Sequence, residues 1–438
     1  MLSNKLAKGI YAYICICLLQ ITLANAQGIG QLPVSDTIKL DVKQAEKLFL
    51  DNNLLLLAEH YNIQSSQALV EQARKWDNPL LNTDQNVYSK STSSLFQHGT
   101  DANGNPVGEY YVQVQQLIKT AGKRGKQIDL AKTNANLAEW QFKSVMRSLR
   151  ATLLTDFYTI ARLQGNARLY DENMASLNKL LHAQEAELAA GNIARKEYLR
   201  VQALIIALQQ DMTENAKSMN DAQSELKTIL QVTGNKFIQP LLPENEPAEI
   251  PSITWLQLMD TAKHNNPDYQ TQVYQTQFNH QNLKLQKALA VPDITFGPEF
   301  DQNANYAPNY VGLAISLPLP LWDRNQGNIK TAKFQVKQQE TLLSQADQKL
   351  QNDVLNAYQK LLLTIQLSSK NNQKFYEDYN QLQKNIMESY NKRQISLLEF
   401  LEYFNDYHDI REKQLEQTLN LRLAKEELND IVGADVVN

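Results

Sequence analysis

Acidic residues beside two predicted helix-to-helix turns are the side chains in this sequence best placed to act on ions. Glu399 and Glu402 are three residues apart and therefore share one face of a helix. Carboxylates held close together raise one another's pKa and attract cations. A local structural role is the alternative, because Ser396-x-x-Glu399 fits a capping box and Glu197, in a first helical turn, favours the helix dipole.

No motif for catalysis, for a metal or for a cofactor accompanies these acids. The tract Gly122–Lys126 lacks the leading glycine and the following serine or threonine of a phosphate-binding loop, so we interpret it as a turn from strand to helix. The six histidines show no metal-ligand spacing, and the seven methionines are scattered. A nucleophile elbow is also missing. We therefore predict a protein that is not an enzyme and that holds no metal and no cofactor.

The first 26 residues predict export. Two lysines precede the apolar run Ile10–Leu23, and Ala24-Asn25-Ala26 has the small-x-small pattern of a signal-peptide cleavage site. We expect cleavage after residue 26; an uncleaved anchor is the alternative. Both cysteines, Cys15 and Cys17, lie in this segment, so the mature chain can form neither a disulfide nor a thiolate metal site. Isoleucine, not a small residue, precedes each cysteine, which makes a lipid anchor poorly supported.

Net charge argues against a nucleic-acid-binding protein, and hydropathy argues against membrane-spanning helices in the mature chain. The formal net charge of −4 supplies no basic surface for binding nucleic acid. After the signal segment no run approaches the roughly 18–20 consecutive apolar residues of a membrane helix. Only helices and closed barrels satisfy the backbone in lipid, so insertion of the mature chain into a membrane would require β-strands.

Very long helices are predicted where proline and glycine are scarce. No proline occurs between Val107 and Gln239, and none follows Leu321. Apolar residues recur in these stretches as a narrow stripe with polar flanks, which indicates coiled-coil packing between neighbouring helices. At 1.5 Å per residue, the first helix of each pair would be about 100 Å long. The predicted helices span residues 122–190, 192–232, 326–391 and 396–431.

The chain is predicted to contain two copies of one unit. Asn52-Asn53 is repeated as Asn265-Asn266. Ile193-x-x-x-Glu197-x-Leu199 is repeated as Ile395-x-x-x-Glu399-x-Leu401. The copies cover residues 27–236 and 252–438, and a proline-rich linker covers 237–251.

Each unit also carries two predicted strands in which apolar residues alternate with small or polar ones, as Val311, Leu313 and Ile315 do. This alternation suits a transmembrane barrel, and a soluble hairpin is the alternative. Four strands are too few to close a barrel, which needs about eight, so the chain would have to oligomerise to pair its sheet edges. The predicted strands span residues 79–90, 108–118, 292–300 and 309–318.

The passage from the last strand into the following helix resembles a known family. The run Leu317-Pro318-Leu319-Pro320-Leu321-Trp322-Asp323-Arg324-Asn325-Gln326-Gly327, the opening Val291-Pro292-Asp293 and the duplicated hairpins are similar to TolC-type outer-membrane efflux proteins. The nearest branch is the outer-membrane component of heavy-metal cation efflux systems. The resemblance implies a mainly α fold with a transmembrane β part. It implies a homotrimer that forms a 12-stranded outer-membrane barrel and a 12-helix periplasmic tunnel.

The same resemblance implies a function and partners. The chain would be the outer-membrane channel of a tripartite efflux system, joined to a periplasmic adaptor (a membrane fusion protein) and to an inner-membrane pump of the resistance-nodulation-division (RND) type. The alternative is an exported coiled-coil scaffold or periplasmic adaptor without a pore. An adaptor would normally show one hairpin flanked by β-rich domains, whereas this chain has two matched hairpins. The sequence does not distinguish metal cations from drugs as cargo.

Family members constrict their tunnel at the hairpin ends. By resemblance, Glu399 and Glu402 correspond to two gate aspartates. Glu197 corresponds to an acid that holds the hydroxyl of the tyrosine matching Tyr390 in the closed state. The resemblance therefore assigns these four side chains to a periplasmic gate.

The hairpin tips would also contact the adaptor, and there the chain departs from the family pattern. Arg393 stands where the family usually has glycine, so that turn needs another way to adopt its geometry. Ile395 occupies the site of an arginine that braces the closed gate in the best-known members, so one closing link is expected to be absent. The expected adaptor contacts are Gly191, Asn192, Ile193, Arg393, Ile395 and Leu401.

Overall fold

The computed structural model describes residues 36–90, 93–97, 100–105, 107–243, 252–304, 307–368 and 370–437. The expected signal peptide, residues 1–26, lies outside the described residues. Most of the expected linker, residues 244–251, does so as well.

Helices dominate the described chain. The longest, α3, has 67 residues and is therefore about 100 Å long. The helices are α1 (Val42–Asn52), α2 (Leu54–Ala73), α3 (Lys123–Ala189), α4 (Arg195–Leu230), α5 (Trp255–Asn265), α6 (Pro267–Leu289), α7 (Gln326–Leu367), α8 (Lys370–Asn391) and α9 (Leu397–Val432).

The helix predicted as continuous over residues 326–391 is divided in the structure. It ends as α7 at Leu367 and resumes as α8 at Lys370. The Ser368 N–H bonds the carbonyls of both Thr364 and Ile365 at 3.1 Å, so the last turn tightens and its backbone leaves the helical region. Serine and asparagine compete with helical hydrogen bonds, and the polar sequence at this point therefore favours a break.

The internal repeat extends to individual hydrogen bonds. Asn53 caps α2 and Asn266 caps α6, each through its side-chain oxygen. The Asn53 side-chain amide donates to the Ile229 carbonyl at 2.9 Å, and the Asn266 amide donates to the Ile431 carbonyl at 2.8 Å. Each asparagine thus ties the start of its unit to the end of that unit's second long helix.

The main sheet contains strands from both repeats. Its order is β2–β5–β7–β8, all antiparallel, so the first repeat supplies one half and the second repeat the other. The described strands are β1 (Asp36–Leu40), β2 (Leu80–Gln85), β3 (Tyr88–Ser89), β4 (Ser94–Leu95), β5 (Tyr110–Ile118), β6 (Lys236–Pro240), β7 (Ile294–Ala304) and β8 (Ala307–Ser316).

Two strand predictions differ from the structure. The segment 79–90 is not one strand, because pairing with β5 ends at Gln85 and the chain then forms the short hairpin β3–β4. The segment 237–251 does not begin as a free linker, because β6 pairs in parallel with β1. The Gln223 side chain holds both backbone groups of the fully buried Ile238, which fixes β6 against α4.

The two repeats are joined where strands turn into helices. Lys123, at the start of α3, contacts the Asp293 carboxylate at 2.6 Å and the Val291 carbonyl at 2.5 Å. The Thr120 N–H donates to the same carboxylate at 2.8 Å. The chain reaches α3 through left-handed backbone at Gly122, which agrees with the interpretation of this glycine-rich tract as a turn.

Three apolar cores lie along the helices. One surrounds Phe157 and Leu226 in the first repeat, and a second surrounds Val354 and Leu428 in the second. The third, which we call the tip core, joins both hairpins near their ends and consists of Leu169, Tyr170, Leu177, Leu180, Val201, Ile205, Leu208, Leu397, Phe400 and Phe404. Among the described residues, no helix combines the length and the apolar character needed to cross a bilayer.

Candidate gate at the hairpin tips

The two hairpin tips have the same backbone turn. Gly191 has φ 74° and Arg393, in the corresponding place, has φ 57°. The Asn192 N–H donates to the Glu187 carbonyl at 2.9 Å, and the Gln394 N–H donates to the Ser389 carbonyl at 2.9 Å. These are the six-to-one hydrogen bonds of a Schellman motif, which ends α3 and α8 in the same way.

Arg393 meets the geometric requirement of its turn without glycine. A left-handed conformation costs a residue with a Cβ roughly 1–2 kcal/mol. The guanidinium donates to Glu187 Oε1 of the first tip at 2.8 Å, and the Asn192 amide donates to Glu187 Oε2 at 2.7 Å. Glu187 therefore links the two tips, a role that the sequence did not suggest because the residue lies outside both turn motifs.

Glu399 has the local structural role that the sequence left open. Its carboxylate accepts from the Ser396 N–H at 2.8 Å and from the Ser396 hydroxyl at 2.9 Å. The Glu399 N–H donates in return to Ser396 Oγ, which completes a capping box at the start of α9. The backbone hydrogen bond from Ser396 lowers the pKa of this exposed carboxyl, and the side-chain hydrogen bond adds to the effect.

Glu402 lies one turn further along α9, where it is exposed. Glu197 lies in the first turn of α4 and is half-buried. The N-cap of α4 is Ala194, which supplies no side-chain hydrogen bond. The three predicted gate carboxylates therefore lie near the tips, and two of them, Glu402 and Glu399, remain open to solvent.

Tyr390 has a different partner from the one expected. Its hydroxyl accepts from the Gln184 amide at 3.0 Å, and its ring lies 4.9 Å from the ring of Phe400. Gln184 is buried in the helix α3. The contact between Glu197 and Tyr390 stays a prediction for the closed, assembled state.

The six expected adaptor contacts fall into two groups. Gly191, Asn192 and Arg393 are exposed at the turns. Ile395 and Leu401 instead pack against the tip core, and Ile193 is half-buried. Three of the six positions thus present polar or backbone groups at the turns, while Ile395 and Leu401 contribute to the core that joins the hairpins.

A polar cluster around His408, which the sequence did not indicate, adjoins the tip core through Tyr170, one of the members of that core. His408 stacks on Tyr170 at 5.3 Å, and its Nδ1 lies 3.1 Å from the Asn173 amide nitrogen. The Tyr170 hydroxyl donates to the Glu412 carboxylate. Burial raises the pKa of Tyr170, and Glu412 raises it further. The helical spacing of His408 and Glu412 is the only sequence signal of this cluster.

Metal-ligating side chains do not converge in the described ranges. No group of three or more His, Cys, Asp or Glu side chains there has the geometry to hold a metal ion. What the tips do combine is two exposed carboxylates, Glu399 and Glu402, with an ion pair between the hairpins, Arg393 to Glu187.

Comparisons with known proteins place this architecture in context. A family described as outer membrane efflux protein matches residues 47–231 and 258–434, which is more than half of the chain. The cobalt-zinc-cadmium resistance protein CzcC of Cupriavidus metallidurans is 23% identical over 295 residues, or 67% of this chain and 66% of the relative. The match thus spans just under two thirds of that relative's length.

Solved structures with the same fold include two channels. A structure of CusC superposes with a TM-score of 0.71 at 15% identity and covers 93% of this chain and 96% of its own. The open state of the Neisseria gonorrhoeae MtrE outer membrane channel superposes with a TM-score of 0.63 at 18% identity, covering 90% of this chain and 89% of its own. The predicted fold class and the predicted family are both confirmed.

Proposed function

Because the chain belongs to the outer membrane efflux protein family, we propose that it is the outer-membrane channel of a tripartite efflux system. It receives substrates from an inner-membrane pump and a periplasmic adaptor and passes them to the exterior. Its relative CzcC is a cobalt-zinc-cadmium resistance protein, which favours cations as cargo. The family resemblance of the sequence favours an RND-type pump as the partner. The exposed acids Glu399 and Glu402 suit a cation path.

The observation that carries this proposal is the open sheet. In the described ranges, β2 pairs only with β5 and β8 pairs only with β7, so one strand of each repeat presents an unpaired edge. Unpaired edges attract further strands. The alternate residues Val311, Leu313 and Ile315 of β8 are exposed apolar side chains, as the lipid-facing side of a barrel requires.

The seam between the two repeats is a template for joining copies. Within one chain, β5 pairs with β7 and α3 packs against α6. The corresponding elements at the outer edges are β8 with α7 and β2 with α2. When β8 and α7 of one copy meet β2 and α2 of the next, three copies close a barrel of roughly 12 strands, above the practical minimum of about eight.

The template also fixes the register between copies. In the internal seam the pairing Val112↔Phe300 sets the alignment of β5 with β7. The hairpin pairings Thr83↔Val112 and Phe296↔Ile315 make Ile315 the counterpart of Val112, and the repeat makes Val87 the counterpart of Phe300, so Ile315 of β8 lies opposite Val87, just beyond β2, in the next copy. Because the two native cysteines lie in residues 1–26, cysteines introduced at these positions would be the only thiols of the mature chain.

Cross-linking and conductance test the proposal. Oxidation of Val87→Cys/Ile315→Cys membranes should yield covalent dimers and trimers on a denaturing gel. The matched control Val87→Cys/Leu313→Cys shifts one cysteine to a diagonal position about 7–8 Å away and should cross-link much less. The purified trimer should conduct ions in a planar lipid bilayer. A monomer that is water-soluble without detergent, or a trimer that never conducts, would instead support a scaffold or adaptor.

A further inference from the structure

Midway along the helices, a cavity of about 880 Å³ lies between α3, α9 and the chain that follows β6. Four of the chain's twelve arginines line it: Arg162, Arg168, Arg411 and Arg422. No aspartate or glutamate is among the described residues that line it. The cavity is therefore a concentration of positive charge in a chain whose net charge is negative.

Two other arginines of α3, Arg147 and Arg150, have acidic partners and so provide a comparison for the cavity arginines. Arg147 lies within 4 Å of the carboxylates of Asp268 and Asp430, at 2.7 and 3.7 Å. Arg150 contacts Glu46 and Glu426 in the same way, at 2.7 and 3.3 Å. Each of these two arginines is neutralised by two acids from other elements.

Three of the four cavity arginines lack such acidic partners. Within the described ranges, Arg162, Arg168 and Arg411 make no ion pair, although Arg411 donates to the Gln414 side chain. The Arg411 Nε atom is buried without a hydrogen-bond partner in the described chain. Glu412 and Asp211 raise the pKa of Tyr170 and Arg162 lowers it, so all three charges lie near the Tyr170 ring. Neither acid forms an ion pair with Arg162 in the described ranges. The fourth, Arg422, is held by the Pro243 carbonyl at 2.9 Å and forms part of the wall.

The remaining walls come from several elements and combine apolar side chains with a few amides and hydroxyls, among them Gln164 and Gln239. Phe237 of β6, Leu241 beyond it, and Leu415 and Leu419 of α9 face the same space. Small-molecule sites in proteins typically measure about 300–1,000 Å³ and combine apolar walls with a few polar anchors. Guanidinium groups bind carboxylate and phosphate in a planar, two-pronged geometry.

We propose that this cavity binds an organic anion that carries two or more carboxylate or phosphate groups on an apolar body. Arg162 and Arg168 of the first repeat bind one end, and Arg411 of the second repeat binds the other. The bound anion bridges α3 and α9 and so holds the two hairpins together. The site lies far from the tips and does not depend on the channel function proposed above.

Calorimetric titration of the purified, detergent-solubilised protein tests the site. The probes are naphthalene-2,6-dicarboxylate for the carboxylate source, inorganic pyrophosphate for the phosphate source, and naphthalene-2,6-dimethanol as the uncharged control. Saturable binding of at least one anion, without binding of the diol, is expected. Arg162→Gln/Arg411→Gln should weaken that binding at least about tenfold, since each lost charge-assisted hydrogen bond is worth about a factor of ten or more. Arg162→Lys/Arg411→Lys should retain part of it.

The matched control is Arg195→Gln/Arg200→Gln, which removes two exposed arginines near the first tip and should change the affinity less than about twofold. A measurement without variants is protection from phenylglyoxal: the anion should shield Arg162 and Arg411 but not Arg195. Equal binding of the diol, equal loss in the control variant or absence of protection would overturn the proposal. The triple variant Glu244→Gln/Glu246→Gln/Glu249→Gln gives one further outcome that would overturn the proposal. If the anion binds only to this variant, the chain's own acidic segment is what occupies the cavity.

Discussion

The two repeats share one backbone plan but stabilise it with different side chains. The first tip turns at Gly191, and its second helix starts at Ala194 without a side-chain cap. The second tip turns at Arg393, and its second helix starts at Ser396 with a full capping box. The two tips thus have the same turn geometry, which the first obtains from the conformational freedom of glycine and the second combines with side-chain hydrogen bonds and an ion pair.

A second contrast lies further up the long helices. At matched positions the first repeat carries Asp156 and the second carries Ala357, both buried. Burial raises the pKa of Asp156 to about 7, and the nearby Glu225 raises it as well. One repeat therefore carries a titratable group in a packed layer where the other carries a methyl group, so their stabilities should respond differently to pH.

The largest expected effect separates the two tips by their packing. Phe400 is fully buried in the tip core, whereas its counterpart Tyr198 is half-buried. Phe400→Ala should lower the free energy of local opening by about 3–5 kcal/mol, since it deletes a buried ring and leaves a cavity. Tyr198→Ala should cost less than about 2 kcal/mol, because a half-buried ring has less contact to lose. Hydrogen exchange of tip amides measures both, and equal protection in the two variants would show that the tips are packed alike.

The next prediction concerns Asp156 and pH. Its folded-state pKa of about 7 lies above the ordinary value of 3.8. The folded state therefore holds the proton more tightly, so stability falls as pH rises from about 4 to 7, and the full penalty applies above 7. Asp156→Asn should raise the free energy of unfolding by about 2–4 kcal/mol at pH 8 and by almost nothing at pH 4.

The reciprocal variant sharpens this contrast. Ala357→Asp places a carboxyl in the equivalent layer of the second repeat and should destabilise the protein more at pH 8 than at pH 5. Thermal unfolding midpoints across this pH range measure both variants. A gain in Asp156→Asn that does not change between pH 8 and pH 4 would contradict the titration of this carboxyl.

Much of this plan was predictable from sequence because it rests on local signals. Scarce proline and glycine indicate the long helices, and the repeated Asn-Asn pairs indicate the duplication, since asparagine is a strong N-cap. The pairing of β1 with β6 was not predictable, because the two strands are some 200 residues apart and each is short. The ion pair between Arg393 and Glu187 was not predictable either, because the two residues are also about 200 positions apart in the sequence.

A smaller effect on stability is expected from the side-chain cap that α9 has and α4 lacks, because one substitution can remove it and another can add it. Ser396→Ala removes the capping box of α9 and should cost about 1 kcal/mol. Ala194→Ser places a serine three residues before Glu197, the same pattern as Ser396-x-x-Glu399, and should stabilise α4 by up to about 1 kcal/mol. Hydrogen exchange of the first-turn amides in each helix checks the two signs. A loss of protection in Ala194→Ser would mean that Glu197 is committed to another contact.

At the second turn two opposing contributions partly cancel, so the net effect of replacing Arg393 is expected to be small. Arg393→Gly relieves the left-handed strain of roughly 1–2 kcal/mol but removes an exposed ion pair with Glu187 that is worth about 0–1 kcal/mol. We therefore expect a net gain of no more than about 1–2 kcal/mol, and a larger gain at high salt, where the lost ion pair matters less. Gly191→Ala has no ion pair to offset its strain and should cost about 1–2 kcal/mol at any salt concentration. Local opening of the tip amides at low and high ionic strength measures both variants. A destabilised Arg393→Gly at low salt would show that the bridge to Glu187 outweighs the backbone strain, and that the second tip is held chiefly by its contact with the first.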